Sequence, residues 1–325
     1  GAVKQGLDKD HAIELFGLIE KFAGYGFNKS HSAAYAMVTF QTAYLKCYYP
    51  QEFMAALLTS EQDNTDKIVK YIDEVKRLGI KLLPPSIQHS LIEFSAITDS
   101  DGEEAILFGM GAIKGVGNAA ISKILEARAE APFADISDFI SRIDSSKVNK
   151  KVLESFIKSG SFDDFGYTRR ALLENIDSII EASAECSRAK KMAEYSLFGD
   201  MVEMTTVQVS IDNIPEFDNK RMLELEKETI GFYISGHPLD AFRAEIDEMS
   251  YTLSSEKDQI EDGSKALFIG KVEGITEKIS KKGNKFGIIT LMDFHGSMEL
   301  TVFEKQLESL SKMDLENPLC FKVEV

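Results

Sequence analysis

The feature that most restricts the fold of this chain is a glycine-rich stretch, LFGMGAIKGVGNAAISKIL, at residues 107–125. Gly115 and Gly117 stand in Ile-Lys-Gly-Val-Gly, directly before a run whose apolar residues recur at helical spacing. Two glycines at this spacing let the backbone turn sharply and leave N–H groups exposed at a helix N-terminus. The stretch therefore predicts a tight turn that opens onto a helix.

Three interpretations of that turn compete. A dinucleotide-binding turn needs a βαβ context, and the spacing from Gly109 and Gly111 to Gly115 has one residue too many. A Walker A loop needs Gly-Lys-Ser/Thr, which is absent. A helix-hairpin-helix, which grips a DNA backbone phosphate without reading sequence, fits better. A helix–helix turn without a ligand is the remaining alternative. The predicted DNA contacts are Lys114, Gly115, Val116, Gly117, Asn118 and Lys123.

A second copy of the hairpin strengthens the DNA interpretation. The stretch NKKVLESFIKSGSFDDFGYTRRALLENI predicts a helix, a turn with a single glycine, and a second helix opening with two arginines. Two hairpins can hold both strands of one duplex across its minor groove. We therefore predict DNA contacts at Gly160, Ser161, Arg169 and Arg170.

The charge of the chain does not exclude DNA. The net charge is −16, but residues 171–265 alone carry 21 acidic and 9 basic side chains. The acidity is therefore regional and spares the segments with the motifs. The three cysteines form no paired spacing, and no apolar run is long enough for a bilayer. We expect a reduced, cytoplasmic setting with no membrane partner and no metal site.

Outside the hairpins the chain changes from helical to β-rich. Residues 8–50 predict two helices around a glycine turn, with Ser30 as the N-cap of the second, and 65–78 predict another helix. Asp101-Gly102 predicts a β-hairpin turn rather than a calcium loop, since the rest of an EF-hand is missing. The last sixty residues predict the first strands of a small antiparallel barrel.

Several long stretches together resemble one family. FAGYGFNKSHSAAYAMVTFQTAYLKCYYPQEFMAALLTSE, FGMGAIKGVGNAAISKILEAR, VNKKVLESFIKSGSFDDFG and GFYISGHPLD occur in the order found in C-family bacterial replicative DNA polymerases, the α subunits of DNA polymerase III. The resemblance covers nearly the whole chain and implies a C-terminal fragment of such a polymerase, from the fingers to the start of an OB-fold.

The resemblance implies a fold class and an order of domains. The fold is mainly α and multidomain, with a helical fingers segment and a tandem helix-hairpin-helix, followed by a small all-β, incomplete OB-fold. The implied domains are a distal fingers segment (1–104), a duplex-binding module (105–190), an acidic connector (191–265) and the barrel (266–325). Implied partners are primed double-stranded DNA, single-stranded template, the incoming dNTP, a sliding clamp and other replicase subunits.

The resemblance also locates chemistry outside this chain. The family's palm aspartates hold two Mg²⁺ ions for phosphoryl transfer, and their motif does not occur here. We therefore expect no catalytic residue and no cofactor in this fragment, which alone is predicted to be inactive. In FNKSHSAAYA, a helix N-terminus flanked by cations predicts a triphosphate-sized anion site, and the resemblance implies contact with the dNTP. The residues are Asn28, Lys29, Ser30 and His31. A satisfied cap with His31 packed locally is the alternative.

Two further segments carry predicted contacts. AEYSLFGDM resembles the family's clamp-binding peptide, in which glutamine is usual where Glu194 stands; the residues are Glu194, Ser196, Leu197 and Phe198. The loop ISKKGNKFGI predicts single-stranded DNA contacts at Lys281, Lys282 and Lys285. Phe286 beside the loop is either a stacking residue or part of the barrel core.

The alternative function is a non-catalytic scaffold protein that binds DNA through its hairpins and OB-fold. A dinucleotide-dependent enzyme is disfavoured because the βαβ repeats are missing.

Overall fold

The structure is a computed structural model, which describes residues 2–25, 29–195, 208–280 and 283–324. Its contacts divide the chain into two compact units, Gly1–Met54 and Ala55–Val325. The predicted domain boundaries stay predictions.

The first unit is helical, as the sequence predicts. Its helices are α1 (Lys9–Tyr25), α2 (Lys29–Tyr48) and the start of α3 (Pro50–Ser60). Because α2 begins at Lys29, Ser30 is the second helical residue and not the predicted N-cap. Large apolar side chains on α1 and α2 are exposed, and Phe16 and Phe40 each reach 66%.

The second unit begins with a helix and a small sheet. Asn64 caps α4 (Thr65–Arg77) by accepting from the Lys67 amide. The strands β1 (Lys81–Leu83), β2 (Ser95–Thr98) and β3 (Glu104–Leu107) follow in the order β1-β3-β2. Strands β2 and β3 form the predicted antiparallel hairpin, and Gly102 has the positive φ of +83° that its turn needs. Strand β1 adds a parallel neighbour that the sequence did not reveal.

Helices with short connections form the middle of this unit. They are α5 (Asn118–Glu130), α6 (Ile136–Arg142), α7 (Lys150–Lys158), α8 (Arg169–Glu174) and α9 (Ile176–Tyr195). Phe139 and Phe162 meet edge to face with ring centroids 5.0 Å apart, and Phe162 is also edge-on to Phe156. These buried rings join α6 and α7 to the turn of the second hairpin.

The acidic connector contains α10 (Asn219–Thr229) and α11 (Arg243–Asp247). Asp218 caps α10 by accepting from the Arg221 amide. Helix α10 lies against α7, where Lys158 pairs with Glu228 at 2.7 Å. The connector is therefore packed onto the helical module along this helix.

The last part is an antiparallel sheet. Strands β4 (Lys265–Ile279), β5 (Lys285–Asp293), β6 (Gly296–Phe303) and β7 (Leu319–Glu324) pair in the order β6-β5-β4-β7, and α12 (Glu304–Leu310) separates β6 from β7. The register of β4 against β5 shifts between Val272 and Gly274, a β-bulge that increases local twist. One face buries Phe268, Ile289 and Leu291. The early strands are as predicted, whereas α12 was not anticipated.

Candidate nucleic-acid interface

The first hairpin is a tight turn held in place by buried apolar side chains. Gly115 has φ +85°, and the amide of Val116 donates to the Ile113 carbonyl at 3.2 Å. Ile113 and Val116 are buried, whereas Gly115 and Gly117 are exposed. The side chain of Val116 is thus an anchor, and only its backbone can take part in the predicted DNA contact.

The turn delivers the N-terminus of α5 to solvent. Gly117 is the N-cap and provides no side-chain hydrogen bond. The first amides of a helix have no carbonyl within the helix to bond, and across the described ranges no other group accepts from those of Asn118 and Ala119. Both residues are exposed. An anion can therefore approach this terminus directly.

Cationic side chains surround the first hairpin. The amide of Lys114 donates to the Thr229 carbonyl of α10 at 2.8 Å, which fixes the backbone while the side chain stays exposed. Lys123, on the second turn of α5, pairs with Glu126 at 2.5 Å. Lys151 of α7 was not predicted. Its Cε lies 3.7 Å from the position of a Cβ on Gly115, so this exposed lysine belongs to the same surface.

The second hairpin has the same turn but a closed environment. Gly160 has φ +83°, and a Cβ there would lie 2.8 Å from Cζ of Arg169. Ser161 is buried, its hydroxyl lies 2.8 Å from that of Ser159, and its carbonyl accepts from the Ile87 amide. Neither residue presents a group to a ligand. We therefore revise their predicted DNA contacts to structural roles.

Arg169 is an interior residue and is only 3% exposed. Its guanidinium bonds Asp163 at 2.8 Å and Glu226 of α10 at 3.2 Å. Glu226 is fully buried and also accepts from the amides of Ile234 and Ser235. The predicted contact of the Arg169 side chain with DNA is revised accordingly, since moving it outward would leave a buried carboxylate unpaired.

A carboxylate already occupies the N-terminus of α8. Glu216 of the connector accepts from the amides of Arg169 at 2.7 Å and of Arg170 at 3.1 Å. Thr168 caps the Ala171 amide and donates its hydroxyl hydrogen to the Ile214 carbonyl. The side chain of Arg170 bonds Glu174 at 2.7 Å. The helix end that the sequence assigned to DNA is thus bonded within the chain.

The sheet places the predicted Lys285 close to Lys278 and Phe303, which the sequence analysis did not predict as contacts. Lys281 and Lys282 lie outside the described residues, and Lys285 is exposed at the start of β5. Phe286 faces away from the core and pairs across β5 and β6 with Phe303, which is 66% exposed. On the other side of Phe286 stands Lys278 of β4.

In this row of Lys278, Phe286 and Phe303, Phe286 lies on the face opposite the core, so it is not part of the barrel core. Its role in stacking stays a prediction. The alternation of Met298, Leu300 and Val302 toward the core could have placed Phe303 on the outer face. The row combines a cation with aromatic rings, as single-strand-binding surfaces do.

The other predicted contacts lie in or beside segments outside the described residues. Asn28 falls outside the described residues, and Lys29 begins α2. Ser30 and His31 are exposed, with the His31 and Tyr35 rings 4.4 Å apart. Glu194 stands near the end of α9, while Ser196, Leu197 and Phe198 lie outside the described residues. These four positions of the clamp peptide therefore stay predictions.

Residues 2–25, 29–195, 208–280 and 283–324 hold no cluster of three or more His, Cys, Asp or Glu side chains arranged to bind a metal ion. In the same ranges no helix has the length and apolar character to cross a membrane.

Comparison with known proteins identifies relatives along the whole chain. The helix-hairpin-helix motif family matches residues 79–172, which include both hairpins. DNA polymerase III subunit alpha of Campylobacter jejuni is 49% identical over 96% of this chain, which covers 26% of the relative. The Helicobacter pylori subunit is 47% identical over 100% of the chain and 28% of the relative. The Escherichia coli strain K12 subunit is 38% identical over 96% of this chain and 27% of the relative.

The chain thus spans about a quarter of the length of these relatives. Its similarity to them extends well beyond the hairpin module, through the connector and the sheet. This protein belongs to the family of bacterial DNA polymerase III α subunits.

Proposed function

We propose that this chain is the DNA-handling part of a replicative DNA polymerase, which extends primed templates from dNTPs. The observation that carries the proposal is the first hairpin, whose uncapped helix N-terminus is exposed between Lys114 and Lys151. That arrangement suits a backbone phosphate of duplex DNA. The reaction itself is inferred from the relatives, which are named as polymerase subunits.

The parts of the chain take distinct roles in this proposal. The helices of residues 1–54 belong to the fingers, and Lys29, Ser30 and His31 contact the incoming nucleotide. The exposed apolar faces of α1 and α2 are suited to contact with other parts of a larger polymerase. The sheet is part of an OB-fold, an assignment supported by its order β6-β5-β4-β7 and by α12 between β6 and β7.

Single-stranded template binds the outer face of that sheet. Phe286 and Phe303 provide stacking area, and Lys278 and Lys285 provide charge. The segment with Leu197 and Phe198 binds a sliding clamp. Catalysis depends on carboxylates and Mg²⁺ held elsewhere in the full-length polymerase, which acts in the cytoplasm with other replicase subunits.

The decisive experiment measures duplex binding by the full-length polymerase with Lys114→Ala plus Lys151→Ala. Removing two phosphate contacts should make the negative slope of log affinity against log salt shallower by about 2. Lys70→Ala on α4 is the matched control, because Lys70 is exposed and far from the hairpin in sequence. An unchanged slope in the double variant would remove the first hairpin from the DNA path.

Primer extension separates the polymerase from the scaffold alternative. The 325-residue chain alone should extend no primer, while full-length protein should do so with Mg²⁺. Extension by the short chain would contradict the placement of the catalytic carboxylates elsewhere. A full-length protein without activity would favour the scaffold.

A further inference from the structure

A cavity of about 320 Å³ lies where α4 meets the sheet and the loop that follows α10. Ile72 and Asp73 of α4 line one side, Tyr233 and His237 of the loop another, and His295 of the β5–β6 turn a third. Its volume is in the range of small-molecule sites. No predicted contact or proposed role involves this cavity.

Most polar groups in the cavity wall are already bonded within the chain. Glu273 pairs with Lys227, and Asp293 accepts from the amide and hydroxyl of Ser254 at 2.6 Å each. The amide of Leu239 donates to Nδ1 of His237, and the ring centroids of His237 and Phe294 lie 4.8 Å apart. These contacts hold the loop and the β5–β6 turn together.

Asp73 and Lys76 differ from the rest of the wall. In the described part of the chain, neither side chain has a hydrogen-bond or ion-pair partner, although they stand one helical turn apart on α4. Asp73 is half-buried, and this burial raises the pKa of its carboxyl. The cavity therefore offers one unused acceptor inside and one unused cation at the exposed Lys76.

A second groove continues from the first at Lys76. It has a volume of about 380 Å³ and shares Lys76 and Tyr233 with the cavity. Its other lining residues include Ile80, Glu103 and Lys81, whose ammonium pairs with Asp99 at 2.6 Å. A ligand that fills the cavity and extends past Lys76 would therefore enter a groove in which the lysine is already paired.

We propose that the cavity binds one unpaired nucleotide. The base inserts beside Tyr233 and His237 and donates a hydrogen bond from its exocyclic amino group to Asp73. The phosphate lies at Lys76, and the adjoining nucleotide continues into the groove. An acceptor inside and a cation at the rim match a ligand with donors at one end and negative charge at the other.

The ligand chemistry has two sources, a free mononucleotide or the single-stranded overhang of a primed template. The second source rests on the proposed function, whereas the first does not. A basic peptide is a less suitable occupant, because one of its cations would lie against Lys76.

The test uses the full-length polymerase and photo-crosslinking to 5-iodocytosine, which retains the amino group. One arm uses a primed template with the probe at successive overhang positions, and the other uses free 5-iodo-dCMP. Mass spectrometry should place the crosslink in the peptide with Tyr233 and His237 or the one with His295. Asp73→Leu and Lys76→Met should each lower the yield at least about tenfold, as expected for loss of a charge-assisted hydrogen bond. Lys70→Met should leave it unchanged.

Each outcome decides the proposal. Crosslinks to these peptides from either probe support it, and the arm that gives them identifies the source. Yields that are equal in Asp73→Leu, Lys76→Met and Lys70→Met, or crosslinks only elsewhere, overturn it. An arginine-rich peptide that blocks the cavity in a way that needs Asp73 but not Lys76 would assign the site to a protein partner instead. If the polymerase fails to bind primed template at all, the proposed function fails, and the mononucleotide arm still decides the cavity.

Discussion

The two hairpins have nearly the same turn and opposite surroundings. Gly115 and Gly160 have φ values of +85° and +83°, and each turn leads toward a helix. At the first, Gly117 leaves the helix N-terminus open, whereas at the second Glu216 fills it. Turn geometry alone therefore does not make a phosphate site. What matters is whether another part of the chain supplies the anion.

One helix connects both hairpins to the sheet. The Thr229 carbonyl at the end of α10 holds the Lys114 amide, and Glu226 of the same helix holds Arg169. Lys227 of α10 pairs with Glu273 on β4. We infer that the second hairpin, whose helix N-terminus is closed by Glu216, anchors the connector. The connector in turn positions the first hairpin, whose helix N-terminus is open, relative to the sheet.

The largest expected effect comes from cutting the closed hairpin away from α10. Glu226→Ala removes the acceptor of the buried Arg169 guanidinium and of two backbone amides, so it should lower the free energy of unfolding by about 3–5 kcal/mol. Urea denaturation measures the change. Arg169→Met with Glu226→Leu is the control, because replacing both charges with apolar groups should recover much of the loss. A loss below 1 kcal/mol in Glu226→Ala would contradict the anchoring role.

The same substitution at the two turn glycines should separate stability from binding. Gly160→Ala combines an unfavourable positive φ with a collision at Arg169, so we expect a cost of about 2–4 kcal/mol. Gly115→Ala meets the Ser155 hydroxyl at 3.0 Å and should cost about 1–2 kcal/mol. Duplex affinity per folded molecule should fall only in Gly115→Ala. Equal losses of stability would erase the contrast between the turns.

Removing a single cation should change the salt dependence of duplex binding at the first hairpin but not at the second. Lys151→Ala should lower the salt slope of duplex binding by about 1, because one phosphate contact is lost. Arg170→Ala should leave the slope unchanged, since its guanidinium bonds Glu174 on a helix whose N-terminus is filled. Fluorescence anisotropy at several salt concentrations measures both. A fall in the slope for Arg170→Ala would restore the second hairpin as a DNA contact.

The sequence predicted local patterns well and distant partners poorly. Periodicity and glycine placement predicted α1, α2, α4, the β2–β3 hairpin and the first turn, since these depend on neighbours in the chain. Glu216 lies 47 residues from Arg169, and Glu226 lies 57 residues from it. A single sequence does not show such pairs, so Arg169 was taken for a surface cation. Lys151 was missed for the same reason, because only folding brings α7 beneath the first hairpin.

The smallest expected effect tests how far the closed hairpin's contacts extend. Glu226 holds the amides of Ile234 and Ser235, and this loop continues to His237 at the sheet. Burial lowers the pKa of His237 below its ordinary 6.5, so the folded protein resists a proton that the unfolded chain accepts. Stability should therefore be unaffected by His237 above about pH 6.5 and should fall as the pH drops below that value. Melting temperatures between pH 7.5 and about 5.5 should decline less in His237→Gln than in the parent. Parallel declines would mean that the stability of the loop near the sheet does not depend on a neutral His237.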